Sequence, residues 1–178
     1  MCYGRLNVAI DAEVITSAAR VVRQRIPEAV LQQSPIYTSA LSCCAAFALA
    51  IAKFPTAIVA DELVEMDLGA WEGRSWDTVP RDELDRWAQD VWRFRPGGGE
   101  NVQAVNERWK LWVARIRHSG NDSAIGVTHA GMIRVALAQT QRAAQADAVQ
   151  TSIEFGSVHY FEIPDPPHVP PQRPRSRA

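Results

Sequence analysis

The sequence predicts an α/β fold, a three-layer α/β/α sandwich with helices on both sides of a mainly parallel sheet. Strand-like and helix-like segments alternate along the chain, and each major helix-like segment spans ten residues or more. That is the pattern of parallel strand–helix–strand units. With 178 residues, one domain can bury roughly 70% of its unfolded surface, so a core needs neither disulfides nor metal. Apolar residues make up 47% and charged residues 22%, the balance of an ordinary globular chain.

The elements follow in order. Residues 12–26 carry Val14, Ile15, Ala18, Val21 and Val22 at helical spacing, with arginines on the other side. Ile36–Thr38, just after Pro35, is a short β-rich run and reads as a strand. Residues 40–53 are Ala-rich and predict a largely buried helix, and 57–60 (AIVA) a second strand. Residues 81–92 place Leu84, Trp87, Ala88 and Val91 on one helix face. The long helix of 101–118 carries Val105, Trp109, Trp112, Val113 and Ile116 at helical period. A third strand is expected at 124–128 (AIGVT), a helix at 132–142, and an edge strand at 157–163 (SVHYFEI), where residues alternate. Residues 1–163 thus form one folded unit. The remainder, 164–178 (PDPPHVPPQRPRSRA), is dense in proline and arginine with almost nothing to bury, and reads as a disordered basic tail.

Several function classes are excluded. A net charge of −1 gives no field that would favour nucleic acid or an anionic membrane. No apolar run approaches the ~18 residues of a membrane span, and the first residues lack the apolar core of a signal peptide. Cys2, Cys43 and Cys44 are odd in number, so no disulfide framework follows, and no CxxC or Cys/His metal spacing appears. A reduced cytoplasmic protein without metal or cofactor is expected. Oligomeric state is left open.

Three stretches carry residues suited to chemistry. In 124–134 (AIGVTHAGMIR) a buried strand runs into His129, then small residues, then a helix. Ligands in open α/β sheets lie beyond the carboxyl ends of strands, and helix N-termini there suit phosphate. In 63–73 (LVEMDLGAWEG), Glu65, Asp67 and Glu72 lie between and beside glycines, and a positioned carboxylic acid can protonate a leaving oxygen. In 95–101 (RPGGGEN), glycines lead into the long helix, either as a phosphate cradle or as a connector with Asn101 as N-cap. Trp76, Trp87 and Trp92 are available to line a pocket or to pack.

Taken together, the chain resembles the histidine phosphatase (phosphoglycerate mutase-like) superfamily. The matching pieces are Tyr37-Thr38-Ser39-Ala40-Leu41, Leu63-x-Glu65-x-Asp67-x-Gly69-x-Trp71-Glu72-Gly73, Pro96-Gly97-Gly98-Gly99-Glu100, Arg108, and Val127-Thr128-His129-Ala130-Gly131-x-x-Arg134. The opening Cys2-Tyr3-Gly4-Arg5-Leu6-Asn7-Val8 is most similar to the α-ribazole phosphatase branch, which removes phosphate from α-ribazole 5′-phosphate in cobalamin assembly. The resemblance implies a phosphomonoester hydrolase acting on a small phosphorylated metabolite without metal. His129 would orient and stabilise the phosphoryl group, and Glu65 would be the proton donor. Ser39, Gly99 and Glu100 would bind phosphate or substrate.

Two departures change the expectation. The family's Arg-His-Gly motif, whose histidine is the nucleophile, has no counterpart in the chain, and Cys43 stands where the family carries a phosphate-clamping arginine. A thiol cannot supply that planar cationic fork, and losing a nucleophile can cost on the order of 10⁶ in rate. The chain as written is therefore expected to be inactive or nearly so. An N-terminally truncated phosphatase is expected, lacking the family's first, central strand and leaving backbone groups of its neighbours unpaired. The alternative is a non-catalytic pseudoenzyme that binds a phosphate ester or a partner.

Overall fold

In the computed structural model the chain is described over residues 1–52, 56–140 and 151–163. The predicted tail at 164–178 lies outside the described residues, as do residue 53 and residues 141–142 at the expected ends of two helices.

Nine regular elements follow: α1 (Ala12–Arg25), α2 (Glu28–Gln33), β1 (Ile36–Thr38), α3 (Ser42–Ile51), β2 (Ile58–Val59), α4 (Arg81–Gln89), α5 (Val102–His118), β3 (Ile125–Val127) and α6 (Ala130–Thr140). The described strands form one parallel sheet in the order β2-β1-β3. Tyr37 faces Ile58 across one ladder and Gly126 across the other.

Alternation along β1 and β3 explains the three layers. Ile36, Ile125 and Val127 point to one side, against Ile15, Ala19 and Val22 of α1 and Phe47, Ala48 and Ile51 of α3. Tyr37 points to the other, against Val105, Trp109 and Trp112 of α5 and Met132 and Val135 of α6. A period of two sends neighbouring strand residues to opposite faces, so the sheet is covered on both sides. Gly126 suits this packing, since a Cβ there would sit 3.0 Å from the Trp112 ring.

Local chemistry sets the helix boundaries. Asp11 caps α1 through the Glu13 N–H. Asn101 caps α5 by accepting the Ala104 N–H at 2.9 Å, while its amide donates to the Arg93 carbonyl at 3.2 Å. Replacing Asn101 with alanine is expected to cost about 1 kcal/mol of stability, read as a lower denaturation midpoint. An unchanged midpoint would mean that the cap contributes nothing.

One expectation is corrected. Residues 157–163, expected as an edge strand, form none and pair with no described strand. Side chains hold them instead: the Tyr160 hydroxyl donates to the Arg25 carbonyl, and Phe161 meets Trp109 edge-on. Alternation of residue types provides a face to bury, but a ladder also needs a neighbour. α2 is a short helix that no periodic pattern announced. Among the described residues, no helix is long and apolar enough to cross a membrane.

Candidate active site

The carboxyl ends of the parallel strands deliver the site. β1 ends at Thr38, and its successor Ser39 is fully buried, its N–H donating to the Val127 carbonyl at 3.0 Å. β3 ends at Val127, two residues before His129, whose own carbonyl accepts the first turn of α6 through Ile133. Ser39 and His129 are thereby brought together, with Oγ 2.8 Å from Nε2. Ser39 Oγ also accepts the Leu41 N–H at 3.2 Å, so its proton is free to be donated to the ring. Burial, reinforced by the nearby Arg108 charge, lowers the His129 pKa to about 4. The imidazole is therefore neutral at pH 7, with one nitrogen able to accept.

Glu65 joins this pair. Its Oε2 accepts the Gly131 N–H at 3.0 Å and its Oε1 accepts the Met66 N–H at 2.8 Å. Gly131 suits the approach because a Cβ would overlap the carboxylate. Burial pushes the Glu65 carboxyl above its ordinary range, against the pull of those N–H groups and of Arg134 and Arg108. An acid that holds its proton to higher pH than usual can deliver a proton to a leaving oxygen.

Glu100 and Gly99 stand differently. The Glu100 carboxylate is occupied by a forked pair with Arg108 (3.1 and 2.9 Å), by Arg5 at 3.1 Å and by the Asp67 N–H at 3.1 Å. Burial alone would raise its pKa, but the Arg108 bonds and the two guanidinium charges bring it below the ordinary range. Arg108 in turn donates to the carbonyls of Glu62 and Val64, each at 2.7 Å, so it ties the segment leading to Glu65 onto α5. Gly97, at φ +57°, and Gly99 pack backbone-to-backbone against the Asp67–Ala70 turn, where a Cβ on either would overlap main-chain atoms. The glycines here serve close approach of two loops.

Several residues of the site were invisible as sequence. Cys44 Sγ lies 3.4 Å from His129 Nε2 across 85 positions. Together with Cys43 it forms a Cys–Cys–His group whose donor atoms all lie within 4.8 Å of one another. The expectation of no metal-ligand cluster rested on spacing along the chain, and folding overrides it. The N-terminal segment is pinned by Glu72, whose carboxylate accepts N–H groups of Gly4, Arg5, Leu6 and Leu68 at 2.7–3.3 Å. This brings Arg5 Nε to the Glu65 carbonyl and Asn7 Oδ1 to the Ser42 N–H at the start of α3. The only available signals were the glycine-flanked acidic loop and the Cys-Cys pair just after Ser39.

The remaining histidines are elsewhere. His118 bonds the Ala114 carbonyl at the exposed end of α5, and His159 lies beside Ser157; His168 falls outside the described residues. Of the tryptophans available to a pocket, Trp76 and Trp87 stack on each other at 4° and Trp92 packs against the core.

Comparison with known proteins is consistent with this geometry. The profile of the Histidine phosphatase superfamily (branch 1) matches residues 2–166. The bifunctional protein Rv2228c of Mycobacterium tuberculosis is 36% identical over 100 residues, covering 53% of this chain. The chain spans only 26% of the length of that curated relative. The crystal structure of the alpha-ribazole phosphatase from Shigella flexneri superposes with a TM-score of 0.73 at 20% identity, covering 88% of this chain and 79% of that one. The mycobacterial glucosyl-3-phosphoglycerate phosphatase Rv2419c, in complex with inorganic phosphate, gives 0.65 at 22% identity, covering 85% and 78%. At these identities the structural likeness is one of fold.

Proposed function

The chain belongs to the histidine phosphatase superfamily, and from that premise we propose that Ser39, His129 and Glu65 form a phosphate-ester site for a small phosphorylated metabolite. The observation that carries the reading is the Ser39–His129 contact at 2.8 Å with Glu65 held by the Gly131 N–H beside it. In this reading the His129 ring hydrogen-bonds the phosphoryl group and stabilises its charge. Glu65, its carboxyl pushed by burial above its ordinary range, faces the leaving oxygen.

Residues 1–178 bind the ester in this reading and turn it over slowly or not at all. No second histidine accompanies His129 at the site among the described residues, and Cys43 offers a thiol where a guanidinium would clamp phosphate. Arg108 does not replace it, since its donors are taken by Glu100 and the carbonyls of Glu62 and Val64. The finer assignment to α-ribazole 5′-phosphate in cobalamin assembly rests on the Cys2-Tyr3-Gly4-Arg5 stretch, which lies against the site through Arg5 and Asn7. Gly99 and Glu100 then act on substrate only through the loop they brace. Free thiols at Cys2, Cys43 and Cys44 suit a cytoplasmic setting.

The test pairs calorimetry with a turnover assay on one preparation of the full chain, using an aryl phosphate and inorganic phosphate. Saturable binding without product release is expected, and His129→Gln should weaken that binding about 10-fold or more. Turnover that disappears in His129→Gln would replace the binding reading with a catalytic one. Absence of binding to either probe would overturn both.

A further inference from the structure

We propose that Cys43, Cys44 and His129 form a binding site for one thiophilic cation of the zinc class, with the fourth tetrahedral position open to an exogenous oxygen. This goes beyond phosphate recognition and does not depend on it.

The geometry carries the inference. Donor atoms around a tetrahedral zinc with Cys and His ligands lie about 3.5–3.8 Å apart. Cys44 Sγ and His129 Nε2 are already 3.4 Å apart, and all three donors fall within 4.8 Å of one another. Closing onto an ion shortens the widest of these separations by about an ångström. Two sulfurs and one imidazole nitrogen are the soft donor set that selects zinc over magnesium or calcium. Three protein ligands with a vacant fourth position is the arrangement of zinc sites that keep room for water or substrate.

The thiols are also available. Cys43 and Cys44 are neighbours in the first turn of α3, joined by a trans peptide. Their Cα atoms are therefore about 3.8 Å apart, shorter than ordinary disulfides span, so pairing with each other does not compete. Both are free cysteines, Cys43 half-buried and Cys44 buried. On binding, two Sγ–metal bonds and one Nε2–metal bond form. Each thiol still protonated releases its proton to solvent, and the Ser39 hydroxyl gives up its contact with Nε2.

Cobalt(II) added to the reduced full-length chain reads the site directly. The expected result is one cobalt per chain, with a sulfur-to-cobalt charge-transfer band, visible bands of tetrahedral intensity, and displacement by zinc. Cys43→Ser, at a partly exposed position, and His129→Gln should each weaken binding on the order of 100-fold. Independently of any variant, zinc should slow alkylation of Cys43 in the wild-type chain. No charge-transfer band, a band of full strength in both variants, or alkylation unaffected by zinc would overturn the proposal. Phosphate binding by the metal-free chain would stand in any of these cases.

Discussion

Arg108→Met is expected to lower the unfolding free energy by about 3 kcal/mol at neutral pH. Arg108 joins Glu100 and the carbonyls of Glu62 and Val64 to helix α5 at a single point. Side chains of both partners are less than one-fifth exposed. Methionine keeps the apolar stem but leaves a carboxylate and two carbonyls short of donors, and an orphaned buried charge costs more than the pair was worth. Arg5 and the Asp67 N–H remain on Glu100 and limit the loss.

The pH dependence gives the mechanism a sign. In the wild type the Glu100 pKa is below 4.5 when folded. Its contribution to stability is therefore present above the ordinary carboxylate range and is lost as pH falls through the folded value. Without Arg108 the largest favourable partner is gone, and the folded carboxyl is easier to protonate than in the wild type. The deficit of the variant should accordingly be largest at neutral pH and shrink in acid. Denaturation at neutral and at acid pH measures this, and an equal deficit at both would assign the loss to the two carbonyl hydrogen bonds and packing rather than to the Glu100 ion pair.

Much of the fold was legible because it is local. Arginines opposite apolar residues marked α1, tryptophans at helical spacing marked α5, and a strand running into His129 marked both β3 and the start of α6. The motifs pointed to Ser39, which contacts His129, and to Glu65, which holds the Gly131 N–H two residues further on. What failed to read was non-local or too short. α2 has six residues and buries only Leu31, too few to display a period. Residues 157–163 alternate, yet nothing in their composition names a ladder partner. The Gly97–Gly99 run is open to two readings in sequence, and only the fold reveals the Asp67–Ala70 turn pressed against it. Cys44 meets His129 across 85 positions, a contact no spacing rule can anticipate.

Trp71→Ala is expected to be the most damaging single substitution, at about 4 kcal/mol. Trp71 is 1% exposed and sits among the rings of Trp87, Phe94 and Trp76, with centroids at 5.8, 6.1 and 6.3 Å. Its Nε1–H donates to Glu83 on α4 at 2.8 Å. Truncation therefore leaves a cavity, removes two edge-on aromatic contacts and strands an acceptor. The loss also reaches the site. Trp71 shares its cluster with Cys2 and Leu68, and its neighbour Glu72 holds the N–H groups of Gly4, Arg5 and Leu6. Loosening that cluster frees Arg5 from the Glu65 carbonyl and Asn7 from the start of α3. Denaturation with Trp71→Phe as companion separates the terms. Phenylalanine keeps an aromatic ring but lacks the indole N–H, so it should recover more than half of the loss if cavity formation dominates. Equal losses for both variants would assign the effect to the Glu83 hydrogen bond, and a Trp71→Ala deficit under about 1 kcal/mol would mean that this aromatic cluster does not anchor the N-terminal segment at all.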